Sequence, residues 1–129
     1  MKYLLEFELK GLPPMSNVAS GASRNWNTSA RKTKFWKTQV GIVVMGKKPV
    51  EPLKKARLVL IRHSSVEPDY DGLVSGFKAV IDGLRKYGVL ANDKMQNIGR
   101  PEYLWVSTTP KMGKITVKVE SIEEIEGKS

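Results

Sequence analysis

The sequence predicts an α/β (α+β) fold: one domain over residues 1–129, with a mixed sheet and helices packed against it. Three observations carry this. Short runs of period-two alternation stand near both ends of the chain, two longer stretches carry apolar residues at helical spacing, and the runs follow one another as β-α-β-α-β-β. A chain of 129 residues is long enough to bury a single core.

Residues 2–9 place Tyr3, Leu5, Phe7 and Leu9 on one face and Leu4, Glu6 and Glu8 on the other, the pattern of a half-buried first strand. From about residue 10 to 27 the composition turns to Gly, Pro, Ser, Asn and Ala. Pro13-Pro14 blocks a helix there, so a flexible loop is expected. A loop of that length is uncommon in a compact domain unless it has a function. A helix follows from Thr28 to Met45, capped by Thr28 or Ser29 and stopped at Gly46, with Trp36, Val40, Val43 and Val44 as its buried stripe. Its first turns carry Arg31, Lys32, Lys34 and Lys37. Cations at that end oppose the helix dipole by ~0.3–1 kcal/mol each, so helix stability gives no reason for them.

Lys54 to Arg62 is rich in leucine and β-branched residues and reads as a second strand, ended by Pro68 at the latest. The second helix is expected from Asp71 to Tyr87, closed by Gly88. At ~100° per residue, Leu73, Phe77, Val80, Ile81 and Leu84 gather on one side, and Asp71, Lys78 and Asp82 gather opposite them. Two closing strands, Glu102–Thr108 and Lys114–Ser121, are joined by the turn-like Pro110-Lys111-Met112-Gly113. Residues 123–129 read as a frayed tail.

Composition excludes several classes. With no cysteine and one histidine, there is no ligand set for a thiolate zinc site, an iron–sulfur cluster or a zinc finger. A reducing, cytoplasmic setting is the expectation. No apolar run approaches the ~20 residues that span a bilayer, and the N-terminal residues alternate charge with apolar side chains, so no membrane partner is expected. The net charge of +9 attracts polyanions.

Against that basic background stand Asp69 and Asp71, two residues apart, and Asp93 further on. Carboxylates gathered in a basic protein suit a hard cation such as Mg²⁺, which takes oxygen ligands. On an extended backbone, Asp69 and Asp71 would point the same way, and Asp93 would join them if the turn after Gly88 brings the chain back. The same residues also have structural readings: Asp71 as an N-cap, Asp69 as a turn residue, Asp93 as a solvated loop carboxylate, and Lys78 with Asp82 as a helical i, i+4 pair.

The ordered set Leu12-Pro13-Pro14, Asp69-x-Asp71, Lys78-x-x-x-Asp82-x-Leu84, Gly88-Val89 and Asn92-Asp93 resembles the RusA family of Holliday junction resolvases, in the form found in phages and prophages. Three features depart from the family pattern. Gly72 stands where Asn is usual, Asn92 replaces the first member of an Asp-Asp pair, and the Asp71–Lys78 segment is three residues longer than in the best-known member. The resemblance implies a homodimeric, Mg²⁺-dependent endonuclease, with Mn²⁺ as a substitute ion, that nicks opposed strands of a four-way DNA junction. It implies Asp69, Asp71 and Asp93 as the metal-binding catalytic acids and Lys78 as a functional lysine.

For holding DNA, Arg24, Trp26, Arg31, Lys32, Lys34 and Lys37 combine cations with an aromatic face, with Trp26 expected in the loop and Trp36 in the core. Two other readings compete. One is a metal nuclease built on Pro-Asp followed by Asp/Glu-x-Lys, of which Pro68-Asp69 supplies the first half. The other is a basic nucleic-acid-binding module without catalysis, which accounts for the charge but not for the ordered aspartates.

Overall fold

In chain order the elements are β1 (Leu4–Lys10), α1 (Trp26–Val44), β2 (Ala56–Ser64), α2 (Tyr70–Gly76), α3 (Lys78–Lys86), α4 (Met95–Ile98), β3 (Glu102–Ser107), a 3₁₀ turn (Pro110–Met112) and β4 (Lys114–Ser121). The structure, a computed structural model, describes residues 3–14 and 26–122, and of residues 26–30 the backbone alone. The expected tail at 123–129 and most of the expected loop, residues 15–25, lie outside the described residues.

The four strands form one mixed sheet in the order β1-β4-β2-β3. β4 runs antiparallel to both β1 and β2, and β3 runs parallel to β2. In β1 the alternation does what the sequence implies, burying Leu5, Phe7 and Leu9 and exposing the residues between them. β2 starts two residues later than expected. A shift of two leaves every side chain on its expected face, and Leu58 and Leu60 are buried as the pattern requires.

β3 and β4 are consecutive in sequence but not adjacent in the sheet, because β2 lies between them. β4 buries Ile115, Val117 and Val119 at 0–1% exposure and is paired on both sides, whereas β3 leaves Leu104 and Val106 partly open at the edge. Phe7, Val117, Leu60 and Tyr103 sit at one register position across all four strands, a row that carries the core out to the β3 edge.

α1 and α3 pack together over this core, which includes Trp36, Val40, Val44, Val80 and Leu84. Their crossing is close because it is built on glycine. A Cβ at Gly83 would lie 3.0 Å from the Val40 Cβ and 3.2 Å from the Lys37 Cα, and one at Gly41 would lie 2.8 Å from the Tyr87 ring. α1 begins at Trp26, two residues before the expected cap, and its end leads into Gly46 at φ 80°.

The expected single helix from Asp71 to Tyr87 is two helices that meet at Phe77 (φ −99°, ψ 0°). Gly72, Ser75 and Gly76 in the first piece are weak helix formers, which explains why the ladder breaks there. The apolar stripe survives the break, with Leu73, Phe77, Val80, Ile81 and Leu84 all buried. Gly88, at φ 89°, closes α3: its N–H donates to Arg85 O and that of Val89 to Leu84 O, the paired bonds of a Schellman cap.

Arg62, on the core side of β2, is only 8% exposed, and burial pushes its pKa down. Its Nη1 donates to Pro13 O at 3.0 Å, which ties the start of the segment after β1 to the sheet.

Candidate active site

The chain leaves β2 at Ser64 and does not stay extended as far as Asp71. Asp69 is the N-cap of α2: its backbone is extended (φ −74°, ψ 167°) and its Oδ1 accepts from Gly72 N–H at 2.8 Å. Asp71 therefore lies in the first helical turn, where its charge also suits the helix dipole. This corrects the expected convergence of Asp69 and Asp71 along an extended segment. Successive helical positions rotate by ~100°, so residues two apart at a helix start diverge.

A different pairing replaces it. A cleft of about 560 Å³ is lined by Asp71, Lys78, Asp82 and Asp93, with Tyr70, Met95, Ile98 and Tyr103 among its less polar walls. Asp71, Lys78 and Asp82 reach it from α2 and α3, on the face opposite the buried stripe, as their spacing implies. Asp69 does not line it.

Asp93 arrives by a route set in the backbone. After the Gly88 cap, Leu53 N–H donates to Val89 O and Ala91 N–H to Leu53 O, each at 2.9 Å, which pins the returning chain beside the start of β2. Asn92 Oδ1 then accepts from Asp93 N–H at 2.8 Å, so the residue before the acid holds its backbone. α4, which sequence periodicity does not signal, supplies Met95 and Ile98 to the wall.

Lys78 and Asp82 form the i, i+4 pair at 4.0 Å, with the lysine side chain 75% exposed and the aspartate 17%. An exposed pair of this kind contributes a few tenths of a kcal/mol. The pairing and a place in the cleft are compatible, because Lys78 lines the cleft as well.

Among the described residues, no three His, Cys, Asp or Glu side chains are grouped to hold a metal ion. That is still compatible with Mg²⁺, which keeps several waters and is commonly held by one or two carboxylates together with substrate phosphates. The oxygen donors of Asp71 and Asp93 on one cleft fit a hydrated ion of that kind.

Two aromatic residues of this cleft have no counterpart among the sequence-derived candidates. Tyr70 is exposed beside Asp71, and its ring meets that of Tyr103 edge to face at 6.2 Å. Tyr103 in turn lies 6.1 Å from the buried Phe77 ring. Burial, with a smaller contribution from Tyr70, pushes the Tyr103 phenol pKa up. The Asp69-Tyr70-Asp71 order was the available signal for Tyr70, while nothing in the sequence places Tyr103 against it.

Of the residues expected to hold DNA, Arg31, Lys32 and Lys34 are exposed on α1 and Lys37 is half-buried. Arg24 lies outside the described residues. Trp26 is the first residue of α1 rather than a loop residue, and its side chain lies outside the described residues. Trp36 packs in the core at 5% exposure. Among the described residues, no helix is long and apolar enough to cross a membrane.

No protein-family model matches the sequence, and no curated protein matches it either.

Proposed function

We propose that this protein is a Mg²⁺-dependent DNA endonuclease acting on branched DNA, with the four-way junction as its substrate. The observation that carries the reading is that Asp71, Lys78 and Asp93 line one cleft of a protein with net charge +9. The ordered motifs that resemble the RusA family supply the junction as substrate and the homodimer as assembly. Two nicks on opposed strands need two sites related by a twofold, and this chain has residues for one.

Phosphodiester hydrolysis requires an activated water, compensation of charge building on phosphorus, and support for the leaving oxygen, all of which a bound divalent ion supplies. Asp71 and Asp93 would hold that ion from the cleft they both line, with Asp69 as the third acid that the resemblance implies. Lys78 neutralises the phosphate being cut, and Asp82 holds the lysine ammonium on the cleft side of α3. Arg31, Lys32, Lys34 and Lys37 bind flanking phosphates irrespective of sequence.

The test is cleavage of a synthetic four-way junction with and without Mg²⁺, alongside a linear duplex of the same sequence. The expected result is paired nicks in the junction, dependent on Mg²⁺ or Mn²⁺, and an intact duplex. A junction bound but uncut with Mg²⁺ present would make the protein a binding module instead.

A further inference from the structure

We infer that Tyr70 is a stacking platform for an unpaired nucleobase next to the phosphate that is cut, and that it favours branched over linear DNA. This rests on the nuclease reading above. Tyr70 is 66% exposed, yet it is not a loosely held surface ring. The Tyr103 ring meets it at 86° and 6.2 Å, and Tyr103 is backed by Phe77, which is 1% exposed. A braced ring presents its open surface at little cost in side-chain ordering, the property a stacking platform needs.

Position supplies the rest. Tyr70 lines the same cleft as Asp71, Lys78 and Asp93 and directly precedes Asp71 in the first turn of α2. Because both side chains line one cleft, a base stacked on Tyr70 belongs to a nucleotide close to a phosphate at Asp71. Within an intact duplex, each base already stacks on both neighbours and has no face to offer. At a branch point the stack is interrupted, so a ring in this place discriminates by DNA shape while tolerating any base.

The experiment compares wild type, Tyr70→Ala and Tyr70→Phe for affinity in EDTA, on a four-way junction and on a linear duplex, with thermal melting as the folding control. Losing a base–aromatic stack predicts about 5- to 100-fold weaker junction binding for Tyr70→Ala. Duplex affinity should hold within about 2-fold, since phosphate attraction dominates it. Tyr70→Phe should bind as wild type. In parallel, 5-iodouracil at the branch point should photocross-link to Tyr70, and the same base within the duplex should not. Unchanged junction affinity in Tyr70→Ala, or an equal loss on both DNAs, overturns the platform while wild-type cleavage leaves the nuclease reading standing. If wild type neither prefers nor cuts the junction, both fall together.

Discussion

The two faces of the α2–α3 segment come from the same two helices and differ in what they need from the rest of the chain. The inward face, Leu73, Phe77, Val80, Ile81 and Leu84, is 0–8% exposed and sealed against the sheet and α1. The outward face, Asp71, Lys78 and Asp82, contributes little to packing and lines a cleft completed by Asp93 from a distant turn. The inward face needs only apolar volume to work, and burial supplies its partners. The outward face lines a cleft only because another part of the chain is folded against it. A rigid inner face is also what allows a few polar side chains to be held in place on the outer one.

Breaking the inner face should give the largest effect. Phe77→Ala removes a ring that joins both helices to Tyr103, and a loss of about 3–5 kcal/mol is expected in denaturant unfolding. A much smaller loss would mean that the helix joint does not depend on this side chain. The outer face should fail differently. Asp71→Asn and Asp93→Asn are each expected to lower junction cleavage by about 10²–10³-fold or more, with melting temperature and junction binding retained. Parallel losses of binding and cutting would show that the substitution had disturbed the inner face instead.

Asp69 sharpens the comparison because the structure makes it the cap of α2, while the family resemblance implies a part in metal binding. Asn caps a helix about as well as Asp, so Asp69→Asn should keep its stability while losing cleavage, and Asp69→Ala should also lose ~0.5–2 kcal/mol of stability. Full activity in Asp69→Asn would assign this residue to capping alone. The smallest effect is expected at Lys78→Ala, a slower enzyme with modestly weaker junction binding and a stability change of only a few tenths of a kcal/mol. Unchanged turnover would leave Lys78 as the partner of Asp82 and nothing more.

Much of the fold was legible because it rests on local periodicity. The faces of β1, the α1 stripe from Trp36 to Val44 and the stripe from Leu73 to Leu84 all follow from spacing, and Gly46 and Gly88 end their helices as expected. What was not legible depends on contacts between distant residues. The insertion of β2 between β3 and β4 is a pairing between residues far apart in sequence, which local periodicity does not carry. The break at Phe77 was softly signalled by Gly72, Ser75 and Gly76, but periodicity continues through it. At the site, Asp71, Lys78 and Asp82 were readable as one helix face. Asp69 was misplaced because an extended backbone was assumed where a helix begins.

Local patterning thus settled which residues turn inward and where helices stop, because each of these depends on residues a turn or less apart. Only the packed chain decided that Asp93 and Tyr103 meet Asp71 and Tyr70 across one cleft. That meeting depends on the Schellman cap at Gly88, the Leu53–Leu90 bridge and the edge position of β3 acting together. The physical reason is reach: side-chain periodicity acts over a few ångströms along the chain, whereas a site is closed by contacts that burial of the core selects from far apart in sequence.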